Sequence, residues 1–257
     1  MKVLGQFSVP LSSKAQVAVV AWFIRPLLNC IRSWTARVRE MSAGTLRFFN
    51  AANTSQPLII FILGPPGAGK GTQSALLKAS FPGLTHLSYG DLLRYLDQIP
   101  GSWVSSFPRR NGGTKPMIHA DAAVQMLRET IDAGVKRGQL TWLIDGFPRS
   151  EAHVKAWISH MPAARFTLYL DCPREILIQR VLGRAESSGR SDDAVLSLVQ
   201  ERVGRGINES DALLCALAKY GMSATKVDAS LDVDEVKRKV HAIFQEISNA
   251  SELEQRL

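Results

Sequence analysis

The stretch Gly64-Pro65-Pro66-Gly67-Ala68-Gly69-Lys70-Gly71-Thr72-Gln73 carries the most explicit chemistry in this chain. It leaves an apolar, β-branched segment, Leu58–Leu63, and enters a helical pattern with Leu76 and Leu77 on its inner face. Glycines let backbone amides converge on an anion with no Cβ in the way. The N-terminus of the following helix adds partial positive charge. A lysine placed like Lys70 reaches the β- and γ-phosphates of a nucleotide. Gly64, Gly67, Ala68, Gly69, Lys70, Gly71 and Thr72 are therefore the expected phosphate cradle. The hydroxyl comes one residue later than in the common pattern, because Gly71 follows the lysine. Direct hydroxyl ligation of a divalent cation is correspondingly less well placed.

Transfer between two phosphates brings two polyanions together. Positioning and charge compensation then do most of the work, with no covalent intermediate. Guanidinium groups suit the task, since they bind phosphate bidentately and stay charged. Residue type alone does not fix which of the chain's arginines and carboxylates serve this end. Taken singly, each has an ordinary explanation. A helix arginine is usually a solvated charge, and Asp145, Asp192 and Asp193 read equally as helix N-caps.

Holding these residues together takes a frame. Short apolar runs at Leu58–Leu63, Leu84–Ser88, Thr141–Asp145, Phe166–Leu170 and Ala224–Asp228 alternate with amphipathic stretches. Those include Ala120–Ala133, Pro173–Leu182, Ala194–Val203 and Val233–Ile247. Strands alternating with helices predict an α/β fold, a five-stranded parallel sheet with helices on both faces. Ligands collect at the carboxyl ends of such strands. Residues 97–116 are irregular, rich in Gly and Pro, and read as a small lobe or as a flexible surface loop.

Four stretches now fall into one order and spacing. The phosphate loop is followed by His86-Leu87-Ser88-Tyr89-Gly90-Asp91-Leu92-Leu93-Arg94, then Asp145-Gly146-Phe147-Pro148-Arg149, then Arg180…Arg184 with Ser188-Gly189-Arg190-Ser191-Asp192-Asp193. Together they resemble the nucleoside monophosphate kinases, the adenylate kinase and UMP-CMP kinase family. The resemblance spans residues 58 to about 245 and none of the head. It implies a P-loop fold with a small monophosphate-binding part at about 88–118 and a short lid at about 182–193. It also implies transfer of the γ-phosphate of ATP to UMP, CMP or AMP, assisted by Mg²⁺. By the same resemblance Arg94 and Arg149 hold the acceptor phosphate and Arg180 covers the donor base. Arg184, Arg190 and Arg202 grip the transferring group, and Asp145 and Asp91 orient Mg²⁺ through water. Arg190 also belongs to the acceptor side, with Tyr89, Gly146 and His153.

The chain departs from its family in places. Tyr89 stands where AMP-specific members carry Thr and UMP/CMP-specific members Ala. His153 stands where they carry Gln or Asn, so neither base code is matched. Other wording leans toward the pyrimidine branch. Ala194 replaces the usual Asn, and Arg202 lies nine residues past Asp193 where eight is typical. One residue is about 100° on a helix, so either the helix starts one residue late or Arg202 misses the phosphate. These departures motivate a second reading, a nucleotide-binding regulator of the same fold with impaired turnover.

Composition sets the outer bounds. The 257 residues are 46% hydrophobic and 21% charged, ordinary for a globular chain and against a disordered or disulfide-stapled one. The formal charge of +8 is uneven: residues 1–55 hold seven bases and one acid, residues 56–257 hold 24 bases and 22 acids. The body is thus close to neutral, which argues against nucleic-acid binding. Three scattered cysteines, Cys30, Cys172 and Cys215, argue against a structural zinc site and fit a reducing compartment. The apolar run Ala15–Ile24 is ten residues, against about 20 for a membrane span. An Arg-rich, acid-poor head reads as a mitochondrial presequence. The alternatives are a start at Met41, giving a cytoplasmic protein, or an anchor at a membrane surface. The expected catalytic domain is 56–257, acting as a monomer on ATP and a nucleoside monophosphate.

Overall fold

The computed structural model describes residues 56–109, 116–185 and 193–254, with side chains to residue 247. The head segment, Arg110, Lys115 and Arg190 lie outside the described residues.

Five strands form one parallel sheet: β1 (Leu58–Leu63), β2 (Leu84–Ser88), β3 (Thr141–Asp145), β4 (Phe166–Asp171) and β5 (Ala224–Asp228), in the order β2-β3-β1-β4-β5. The helices are α1 (Lys70–Ser80), α2 (Tyr89–Asp97), α3 (Ala120–Val135), α4 (Glu151–His160), α5 (Arg174–Gly183), α6 (Leu196–Lys219) and α7 (Val233–Glu254). The strand runs expected from β-branched content are the strands observed, and helices cover both faces. Alternation along β1 shows why. Ile60 and Ile62 point to a core shared with Leu77, Val236, Val240 and Phe244 of α1 and α7. Phe61 points the other way, 5.1 Å edge-on from Trp157 of α4. A strand buried on both faces needs apolar residues at every position, and Ile59 through Leu63 are all at most 2% exposed.

The register brings three strand ends level. Ile62 pairs with Asp145, and Ser88 pairs with Asp145 from the other side. The phosphate loop, the start of α2 and the turn after Asp145 thus open at one edge, the carboxyl end where ligands collect.

Helix α6 runs sixteen residues beyond Val203, the end expected from the sequence. Gly204 and Gly206 weaken a helix locally. Tertiary contact overrides them: a Cβ on Gly206 would stand 2.8 Å from Pro66 Cδ, so the glycine lets α6 cross directly over the phosphate loop. The described part of 97–116 is ordered. It holds a 3-10 turn, Trp103–Ser106, an Arg109–Asp97 ion pair at 2.8 Å and an antiparallel bridge between Arg109 and Pro116. Among the described residues no helix is long and apolar enough to cross a membrane.

Candidate active site

Two cavities open at the carboxyl edge, one on each side of the phosphate loop. The first, about 500 Å³, is lined by Gly67 through Gln73, Asp91, Asp145, Arg180, Arg184 and the turn at Ala229–Leu231. The second, about 620 Å³, is lined by Gly64, Tyr89, Leu93, Met117, Ile118, Ser150 and His153, and by α6 from Arg202 to Leu213. Pro66, Lys70, Gly146, Arg149 and Arg202 line both.

The loop between them is held by backbone. Gly64 has φ +141°, and a Cβ there would lie 2.6 Å from the Leu170 carbonyl oxygen. Gly67 has φ +89°, and its Cβ would lie 2.6 Å from the Leu177 carbonyl oxygen. Any larger residue at either place would meet main chain that cannot move aside. Lys70 Nζ donates to the Gly64 and Pro65 carbonyls at 2.8 and 3.0 Å, which keeps the ammonium over the loop.

Asp145 lies at the end of β3 and is not a helix cap; α4 is capped by Ser150, whose hydroxyl accepts from the His153 amide. Burial alone would raise the Asp145 carboxyl. The His86 side chain and the charges of Lys70 and Arg149 outweigh it and hold the group below the usual carboxylate range. His86 Nε2 stands 3.8 Å from Asp145 Oδ2, beyond hydrogen-bond range, and adds charge only when protonated. Asp91 lines the same cavity in the first turn of α2, where Ser88 and not Asp91 is the cap. Its carboxylate accepts from Arg94.

Arginine placement is uneven. Arg149 reaches both cavities, with its Nε donating to Gly146 O at 2.8 Å and its guanidinium carbon 4.7 Å from the centre of the Tyr89 ring. It faces solvent through the cavities while protein crowds its other sides; burial pulls its pKa down, opposed by Tyr89 and Asp145, and it remains a cation. Arg202 also reaches both, because α6 begins at Leu196; the ninth-residue spacing past Asp193 does not turn it away. Arg184 lines the smaller cavity. Arg180 does too, and donates to the carbonyls of Ala229, Ser230 and Leu231 at 2.7, 3.4 and 3.3 Å, tying the turn after β5 to α5. Arg94 lines neither cavity and is turned to Asp91.

Asp193 has a role the spacing did not disclose. The helix cap is Val195, not Asp193. The Asp193 side chain is fully buried and accepts from Arg184 Nε at 3.0 Å and from Arg202 Nη1 at 2.7 Å. One carboxylate thus fastens two cationic groups, each nine residues away in the chain. That symmetry was the available signal. Arg205, also unflagged by the sequence, lines the larger cavity, and the fully buried Phe147 packs against Tyr89.

Tyr89 is 3% exposed, packs 5.3 Å from Phe147 and 6.2 Å from His153, and its phenol is raised by burial. His153 Nδ1 lies 3.1 Å from Ser150 Oγ. Burial, then the charge of Arg149, pushes the imidazole down to about 4, so it is neutral at physiological pH.

Mg²⁺ fits the smaller cavity only in a largely hydrated form. Asp145, ionised, and Asp91 supply hard oxygen donors, whereas no group of three or more His, Cys, Asp or Glu able to hold a metal occurs among the described residues.

A family model described as an AAA domain matches residues 63–199. The UMP-CMP kinase of Gallus gallus is 37% identical over 194 residues, covering 74% of this chain and 97% of that protein. The UMP-CMP kinase of Homo sapiens is 35% identical over 196 residues, covering 74% and 97%. That of Danio rerio is 34% identical over 197 residues, covering 74% and 98%.

Proposed function

Since the chain belongs to the nucleoside monophosphate kinase family and phosphoryl transfer from ATP to a nucleoside monophosphate follows from that membership, we propose that its preferred acceptors are UMP and CMP. The observation that carries the site assignment is the junction: Lys70, Arg149 and Arg202 are common to both cavities. The smaller cavity takes ATP, with its phosphates on the loop amides. The larger takes the monophosphate. The transferring group crosses where one ammonium and two guanidiniums converge, and their charge offsets the repulsion between the two nucleotides.

Each residue contributes one act. Lys70 leaves the loop carbonyls for the β- and γ-phosphates. Arg149 holds the acceptor phosphate, and Arg94 joins it by exchanging Asp91 for the anion. Arg184 and Arg202, braced by Asp193, meet the equatorial oxygens, with Arg190 from the lid. Arg180 orders the turn against which the donor base lies. Asp145 and Asp91 would hold the water shell of Mg²⁺, which when bound supplies charge neutralisation across the ATP phosphates. Closure of the lid over the junction would exclude water, so the acceptor alone receives the phosphoryl group.

Pyrimidine acceptors are supported by the named relatives, all UMP-CMP kinases. A coupled ADP-release assay with ATP and AMP, CMP, UMP or GMP tests this. The expected order has CMP and UMP first. Preference for AMP would overturn the acceptor assignment. Tight ATP binding with no turnover on any acceptor would favour the regulatory reading that Tyr89 and Ala194 motivate.

A further inference from the structure

We propose that Arg205 is a further ligand of the acceptor's phosphate, held on the acceptor side of the junction by an exchangeable pairing with Glu201. The inference rests on the larger cavity taking the monophosphate, and it deepens that reading. Arg205 lies outside the four stretches that carry the family resemblance. It follows Arg202 by three residues on α6, about 4.5 Å along the axis and about 60° around it. Arg202 lines both cavities, whereas Arg205 lines the larger one alone. The step from one arginine to the next therefore leads from the junction into the acceptor side. Gly206 brings this turn of α6 against the phosphate loop, since a Cβ there would stand 2.8 Å from Pro66 Cδ.

Charge on the cavity wall gives the reason an anion is taken here. Among the described residues four cations line the larger cavity, Lys70, Arg149, Arg202 and Arg205, against two carboxylates, Glu151 and Glu209. His153 is neutral at physiological pH. The wall thus carries two positive charges in excess, and a phosphate monoester carries about −1.5 to −2 at pH 7. With Arg205 taken away, the excess is one and no longer matches the dianion. The contact that Arg205 makes is one it can give up. Its Nη2 donates to Glu201 Oε1 at 2.8 Å, one helical turn away, and the Glu201 side chain is 60% exposed. An exposed pair at this spacing contributes little in water, whereas a guanidinium meets phosphate through two parallel hydrogen bonds. Arg205 therefore exchanges Glu201 for the incoming phosphate by turning its own side chain.

Three variants test this, by initial rates with ATP and CMP, UMP or AMP varied together. Arg205→Ala is expected to raise the KM about tenfold for all three acceptors alike, because the phosphate is what they share. The KM for ATP should stay within about twofold, since Arg205 does not line the donor cavity. Arg205→Lys keeps the charge but loses the fork, and should raise the acceptor KM only about threefold. Glu201→Gln weakens the competing partner. It should lower the KM for CMP about twofold, and should do nothing once Arg205→Ala is present. Thermal melts check that each variant is folded. An unchanged acceptor KM in folded Arg205→Ala, with wild type turning over CMP, would overturn the proposal alone. So would a rise confined to one acceptor, because the contact would then be to a base. A rise in the KM for ATP with that for CMP unchanged would reverse the cavity assignment and take the proposal with it. Calorimetric titration with CMP keeps the test independent of turnover. Wild-type protein that binds CMP and phosphorylates no acceptor would defeat the phosphotransfer reading, while about tenfold weaker CMP binding by Arg205→Ala would still support the phosphate contact.

Discussion

The two cavities share five residues but are made by different means. The donor side is made largely of main chain. Its loop amides, the Ala229–Leu231 carbonyls held by Arg180 and the helix start at Lys70 are placed by backbone geometry. The acceptor side is made of side chains from α2, α4 and α6, with Tyr89, Phe147 and His153 packed ring against ring. Backbone has one chemistry whatever the sequence, so the donor side suits a substrate that every turnover shares. Side chains differ from chain to chain, so on the proposed assignment preference would be set on the acceptor side.

The strongest way to break this contrast is to strike what both sides share. Lys70→Ala and Arg149→Ala should each lower kcat by about a hundredfold or more, whichever acceptor is used. A loss confined to one nucleotide's KM, read from initial rates with both substrates varied, would dissolve the common junction.

Next is a blow to the donor side alone. Gly67→Ala forces φ +89° on a residue with a Cβ, 2.6 Å from the Leu177 carbonyl oxygen. Local strain of about 1–3 kcal/mol should appear in thermal or urea unfolding. ATP binding should weaken at least about tenfold, while CMP binding measured alone changes little. Equal weakening of both would mean the sides are not separately built.

Smaller is the effect of loosening the brace. Asp193→Asn keeps shape but removes the charge that Arg184 and Arg202 share. We expect kcat to fall about tenfold, with lower stability because the hydrogen bonds from both arginines to a buried anion weaken. Unchanged kcat would make Asp193 a purely structural group.

The smallest effect sharpens the acceptor side. His153 has a folded pKa of about 4 against an ordinary 6.5. The unfolded chain therefore binds the extra proton first, and stability is lost as pH falls from about 6.5 to about 4. Allowing for partial exposure, the loss is about 1–2 kcal/mol. Urea melts at pH 7 and 4.5 should show less acid sensitivity in His153→Gln than in wild type. Equal sensitivity would place the titration elsewhere.

Legibility followed the same divide. Every strand was readable because β-branched runs between turn residues leave few other options, and the phosphate loop was readable because strand, glycines, lysine and helix are contiguous. Helix α6 was not, since Gly204 and Gly206 argue locally for a stop while contact with Pro66 requires the second of them. Asp193 looked like a cap because helix caps are local, whereas its partners meet only when α5 and α6 pack. Arg94 matches an acceptor ligand, and in the structure its guanidinium rests on Asp91 one turn away, a pairing that no spacing discloses.

The sequence by itself determined the α/β class, the sheet's five strands, the phosphate loop and the kinase family, all of which depend on residues adjacent in the chain or on ordered motifs. Only the tertiary structure decided that Arg202 enters both cavities, that Asp193 joins two arginines and that Tyr89 lies beneath Arg149. The physical reason is range. Dihedral preference and hydrophobic period act over a few residues, whereas charge pairing and ring packing act across a few ångströms between segments whose meeting depends on the whole core.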